Sequence, residues 1–259
     1  MTSLIHTDKF SFYTCAIISF LESRVSTYVD NLEPIFRCDA NTIKWLQETW
    51  LPEEAAHGRL MRSFVESTWP DFDWEFGFTE FSALYLPRCA TENLRPSVGL
   101  EALARCVTEA QATMIYRCLA SYTQDPDLKA LLKRMSADEA RHFRKFKDLH
   151  LFHQSAERTS LLKRVRTLLA RSELVRDEDL ALAFAPLNGA WKCPLPFSSW
   201  SYAAFLEATA QVMKQHFPFK EAQRMLLNPL RTSSLVWRVG SAIIAKLVTR
   251  QFLRHAFQD

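Results

Sequence analysis

Glycine is scarce: five residues in a chain of 259, against eleven prolines. With leucine, alanine, arginine, glutamate and phenylalanine abundant, that scarcity favours helix over sheet. An excess of one charge is also missing. Thirty-two basic residues face 29 acidic ones, a formal net charge of +3. So small a balance, with the basic residues spread over several segments, gives no nucleic-acid footprint.

Long uninterrupted apolar runs are absent, since a membrane span needs roughly 18 uncharged residues. The nearest approach, "SLVWRVGSAIIAKLVTRQFL", is broken by Arg238, Lys246 and Arg250. The apolar N-terminal stretch lacks a basic start and an A-x-A site, so no secretory leader is expected. The six cysteines (Cys15, Cys38, Cys89, Cys106, Cys118 and Cys193) show no CxxC pairing. They are expected to be thiols in a reducing cytoplasm.

What is present is 48% hydrophobic residues, enough for one large domain or a domain with an appendage. Helical periodicity covers residues 9–32, with Glu33-Pro34 and "RCDAN" breaking it. A second helix is expected over 41–67, capped by Asp39 or Asn41 and kinked at Pro52. Residues 68–96 are aromatic and read as a long irregular connection. Further helices are expected over 97–122, from Pro126 to about His153, and over 157–174. Residues 176–197, with three prolines and a glycine, mark a boundary, and 198–259 reads as two or three more helices. The expected domains are a helical bundle over 1–175 and a C-terminal helical extension over 176–259.

Two Glu-x-x-His motifs occur, Glu54–His57 and Glu139–His142. Residues three apart on a helix share a face and can point at one metal ion. A single such motif is weak, because a solvated helix face explains it. Two of them, plus one glutamate from each of two further helices, make the carboxylate-bridged di-metal site of ferritin-like bundles.

In a helical hairpin, residues at one height are equidistant from the turn. Glu22, in "IISFLESRV", pairs with Glu54 about position 38, inside "RCDAN". Glu109 pairs with Glu139 about position 124, at the start of "QDPD". Both turns follow from breaker residues that are independent of the motifs. The competing reading makes Glu22 and Glu109 interfacial charges paired with Arg24 and Arg105. Iron favours hard carboxylate oxygens with imidazole nitrogen, although manganese or a mixed pair accepts the same donors. Asp138 stands beside the second motif, where an acid can orient a ligand histidine. Glu53 lies about 100° from Glu54 around the helix and should not share its role.

At these residues the chain resembles the soluble acyl-carrier-protein desaturases. "WLPEEAAHG" (Trp50–Gly58) is similar to their W-x-x-E-E-x-x-H-G motif, and "ADEARH" (Ala137–His142) to A-D-E-x-R-H. "TEAQATM" (Thr108–Met114) matches their E-R-A-T segment more loosely. The resemblance covers about residues 15–150. It implies an all-α, ferritin-like four-helix bundle with additional C-terminal helices. It also implies two iron ions bridged by Glu54 and Glu139, with Glu22, Glu109, His57 and His142 as terminal ligands. Asp138 matches a position implicated in electron entry, and Thr113 or Ala112 would stand near the oxygen-binding face.

The expected function is therefore an O2-activating di-iron oxidoreductase acting on an aliphatic, fatty-acyl-like substrate, by desaturation or a related C–H oxidation. The resemblance implies a substrate free or borne on acyl carrier protein, with a ferredoxin-like protein as electron donor. "LKRVRTLLAR" and "RHFRKFK" are basic stretches suited to such acidic partners, and a homodimer is the default assembly. Two alternatives stand beside this. One is a ferritin-like protein that binds or detoxifies iron, or reduces peroxide, without an organic substrate. The other is a helical scaffold with no metal.

Overall fold

The computed structural model describes residues 4–89 and 97–230. Among them every extended regular element is helical, as the composition predicts, and Phe72 and Trp191 form a lone antiparallel bridge. The fold class is all-α. No helix among the described residues is long and apolar enough to cross a membrane. The interrupted apolar stretch 234–253 lies outside them. All six cysteines are free thiols, as expected.

Two compact units interleave along the chain. One comprises Met1–Asn93, Thr123–Leu131 and Asp177–Thr209; the other comprises Leu94–Tyr122, Leu132–Arg176 and Ala210–Asp259.

The first unit is built on α1 (Lys9–Glu22). Asp8 caps it, accepting from the amides of Phe10 and Ser11. The expected single helix over 9–32 is divided at Ser23-Arg24, and α2 (Val25–Phe36) follows. Pro34 sits inside α2 and does not break it; the chain turns only at Arg37–Asp39. Asp39 then caps α3 (Ala40–Trp45) by accepting from Thr42.

A π-helical turn, Leu46–Trp50, joins α3 to α4 (Leu51–Thr68). Pro52 lies at the start of α4. Proline has no amide to donate, and the wider turn just before it absorbs the lost bond. The expected kink is thus a π-bulge one turn before Glu54.

The connection expected over 68–96 is not irregular over its described part, 68–89, and residues 90–96 lie outside the described residues. α5 (Trp74–Tyr85) occupies the centre of that part, with Asp73 accepting from Phe76 as its cap. Its aromatic residues recur at 74, 78, 81 and 85, a helical stripe. That stripe meets α1: Phe20 packs edge-on to Trp74 and stacks on Phe81, at 5.5 and 5.6 Å between ring centroids. Trp74 Nε1 donates to Ser19 Oγ at 2.8 Å. Two turns earlier on α1, Phe12 lies against Trp69, Phe72, Trp191 and Phe197. Each aromatic pair is worth about 0.5–1.5 kcal/mol beyond its buried area. The aromatic excess therefore fills this unit's core and fixes α1.

In the second unit α6 (Val98–Tyr122) pairs with the body of α7 (Pro126–Glu157). Three contacts show the antiparallel register: Ser136 Oγ donates to Thr113 O, His150 Nδ1 meets Gly99 O, and His142 meets Glu109. Each residue pair is centred near position 124 or 125, where Thr123–Asp125 turns the chain. Asp125 caps α7 by accepting from Asp127 and Leu128, with Pro126 at the first helical position as expected.

Helix α8 (Leu161–Phe184) runs ten residues beyond the expected end at 174. Two of the expected C-terminal helices follow, α9 (Tyr202–His216) and α10 (Phe219–Leu227). In this unit, α10 and Phe217 pack on α6 through Met114, Cys118 and Ala222.

Candidate metal centre

Each unit gathers a Glu–Glu–His triad. In the first, Glu22 ends α1 while Glu54 and His57 stand one turn apart on α4. Their ligand atoms lie within 4.8 Å of one another. Glu54 and His57 are buried, and His57 Nδ1 is 3.7 Å from Glu54 Oε2. Glu22 is half-buried.

Gly58 sets the approach of the two helices. A Cβ there would come within 3.0 Å of the Glu22 carbonyl carbon and 2.9 Å of Ser23 Oγ. The hydroxyl can rotate away, but the backbone carbon cannot. Glycine beside His57 thus lets the end of α1 settle on α4 and holds Glu22 at the triad. Gly58→Ala is expected to push Glu22 outward. Overpacking costs about 1–3 kcal/mol, offset by the roughly 1 kcal/mol that alanine gains over glycine in a helix. A small loss of urea stability with a large loss of iron affinity is the predicted result. Unchanged iron affinity would show that this close approach does not position Glu22.

In the second unit Glu109 projects from α6, and Glu139 and His142 from α7. All three are buried, with ligand atoms again within 4.8 Å. His142 Nδ1 lies 3.2 Å from Glu139 Oε2 and 3.8 Å from Glu109 Oε2. Burial pushes the Glu109 carboxyl up to about 8, the His142 hydrogen bond opposes this, and the nearby Glu139 charge adds to it. Two carboxylates this close in a dry site repel, so one holds a proton unless a cation takes its place. Carboxylate oxygen with imidazole nitrogen suits iron or manganese, so the donor set of both triads fits such an ion.

Arg105 donates to Glu101 Oε1 at 2.9 Å, and Arg24 lies over the Phe78 ring at 4.6 Å. Arg105 is thus engaged with a glutamate two turns of α6 before Glu109. Asp138 pairs with Arg141 at 2.6 Å. Thr113, fully buried, donates its hydroxyl to the Glu109 carbonyl at 2.7 Å, which stiffens the turn carrying that ligand candidate. Glu53 is half-buried and stands outside both triads. Sequence reasoning missed the packing role of Gly58, although that residue closes the quoted motif. It also missed Glu101, which looks like an ordinary helix-surface acid until its zero exposure is seen.

The chain matches the rubrerythrin family model over residues 101–188, roughly a third of its length. That stretch holds Glu109, Thr113, Asp138, Glu139 and His142, and so the second triad. Neither the curated proteins nor the solved structures compared with the chain gave a significant match. The rubrerythrin match, the all-helical fold and the carboxylate–histidine clusters are together the marks of the ferritin-like di-iron carboxylate class.

Proposed function

We propose that the protein is a non-haem di-iron oxidoreductase that consumes O2 or peroxide. Its two triads would supply six metal ligands in all. The observation carrying this reading is the duplicated Glu–Glu–His set, each half built on one Glu-x-x-His helix and one further glutamate. Glu22, Glu54, His57, Glu109, Glu139 and His142 would hold the iron. Manganese or a mixed pair fits the same donors. When bound, the metals supply redox electrons and open coordination positions for an oxygen-containing substrate.

The protein's own residues do the rest. Four carboxylates offset most of the charge of two divalent ions. Buried Met61, one helical turn from His57, and Phe143, one turn from Glu139, help keep the two triads dry. Asp138, held by Arg141, would govern proton or electron entry next to Glu139. Thr113 fixes the turn of α6 that carries Glu109.

For the reaction, the motifs "WLPEEAAHG" and "ADEARH" support an aliphatic, fatty-acyl-like substrate, free or on acyl carrier protein, oxidised by desaturation or a related C–H attack. A ferredoxin-like donor and a homodimer complete that proposal, as does a bundle over 1–175 extended by 176–259. The rubrerythrin match favours a second reading, peroxide reduction or iron detoxification with no organic substrate.

Ferrous reconstitution should give about two irons per chain, with O2 or peroxide consumed stoichiometrically. Mass spectrometry of products from free fatty acids, acyl-CoA and acyl-carrier-protein substrates then separates the two readings. Peroxide turnover with every acyl chain unaltered selects the second. Failure to bind iron with all six residues intact defeats both.

A further inference from the structure

Two hydrogen bonds cross from α7 to α6, one on each side of the second triad. Towards the hairpin turn, Ser136 Oγ donates to the Thr113 carbonyl at 3.1 Å. Towards the far end, His150 Nδ1 lies 2.7 Å from the Gly99 carbonyl. A carbonyl only accepts, so Nδ1 carries the hydrogen and donates. In both, a buried α7 side chain grips an α6 main-chain carbonyl: Ser136 is 3% exposed and His150 0%. The donors stand at 136 and 150 and the acceptors at 113 and 99, the same interval on each helix. Glu109 on α6, and Glu139 and His142 on α7, lie between these braces.

The brace at Ser136 closes on both ligand-bearing turns. Ser136 stands one helical turn before Glu139, and Thr113 one turn after Glu109. Arg117 Nε donates to Ser136 Oγ at 3.2 Å, which occupies a lone pair of the hydroxyl and leaves its hydrogen for Thr113. Glu221 of α10 anchors Arg117 in turn, accepting at 2.6 Å. Thr113 passes the constraint on, since its own hydroxyl donates to the Glu109 carbonyl at 2.7 Å.

Directional bonds matter here because Ala102, Ala104, Cys106 and Ala110, buried on α6 between the braces, are small and interlock weakly. A slip of α7 by one residue would displace its ligands by about 1.5 Å and turn them by about 100°. A preorganised site tolerates about 0.5 Å. One polar residue in an apolar helical seam is enough to specify register in a coiled coil.

We propose that Ser136 and His150 are positioning residues for the second triad, which set the register of α7 on α6 and so bring Glu109 to Glu139 and His142; this rests on the reading of those three as metal ligands. Neither is a ligand candidate, and each acts through the helix it braces.

Full-length protein is titrated anaerobically with ferrous iron. The dissociation constant, the near-infrared circular dichroism of the bound ferrous ions and the urea stability are measured together. Ser136→Ala should weaken iron binding roughly tenfold, the lower end for losing an outer partner of a metal ligand, and should alter the dichroism of the iron that remains. His150→Leu, at the other brace, should do the same, and it decides the matter if Ser136→Ala does not fold. Ser172→Ala is the control for a merely structural role. Ser172 is 1% exposed and its hydroxyl also donates to a carbonyl, Leu168 O at 2.8 Å, but within α8. That variant should lose comparable urea stability and bind iron as the wild type does. Iron affinity and dichroism unchanged in either brace variant, or changed as much in Ser172→Ala, overturn the proposal alone. A wild type that binds no iron overturns the reading of the triads and this proposal with it.

Discussion

Glu139→Ala is expected to leave the protein unable to hold iron and unable to consume O2 or peroxide. Glu139 is 1% exposed, and its Oε2 lies 3.2 Å from His142 Nδ1. The substitution removes a carboxylate from the second triad and frees the imbalance that keeps His142 aligned. Losing even an outer hydrogen-bond partner of a metal ligand costs about 10–100-fold in affinity. Losing a proposed ligand itself should exceed that, so iron retained after desalting should fall from about two per chain towards none. Glu53→Ala is the matched control, since Glu53 lies one residue from Glu54 yet outside both triads. Iron content should survive there. Equal losses in the two variants would mean that acidity in general, and not these triads, holds the metal.

The triads were legible because helices impose arithmetic. Glu-x-x-His fixes one face from sequence alone, and the hairpin midpoints 38 and 124 place the partner glutamates. The chain turns at Arg37–Asp39 and Thr123–Asp125, where those midpoints require. What intervenes was less legible. Ser23-Arg24 divides the first helix without proline or glycine, and Pro34 fails to divide the second. Pro34 leaves the Asp30 carbonyl without a helical donor, and α2 runs only two residues further, to Phe36.

Tertiary packing accounts for the rest. The 74, 78, 81, 85 stripe of α5 was obscured by the surrounding aromatics, because Trp69, Phe72 and Phe76 blur the period. Only α1, presenting Phe12 and Phe20, selects which rings turn inward. Glu101 and Arg171, 70 residues apart, could be paired by no local rule. Arg105 illustrates the same limit: proximity in sequence offered it to Glu109, and the fold gives it to Glu101.

Metal-free protein is expected to lose stability as pH rises from about 4.5 to about 8, and the metal-loaded protein to lose far less over that window. The cause is Glu109, whose carboxyl titrates near 8 in the fold against an ordinary 4.5. Between those values the folded state holds a proton that the unfolded chain has released, so raising pH favours unfolding. Below the window both states are protonated and the full stability is present. Above it, an ionised Glu109 must be kept dry beside Glu139. At roughly 1.4 kcal/mol per pH unit, the penalty reaches about 5 kcal/mol, a large part of a typical domain's stability. A bound cation replaces the proton and cancels the slope. Urea denaturation of chelated protein at pH 5, 6.5 and 8 measures it, with Glu109→Gln as the test of cause. That variant should flatten the metal-free profile and be more stable than wild type at pH 8. A slope unchanged in Glu109→Gln would assign the pH dependence to other groups and remove the case for a strained carboxylate at this position.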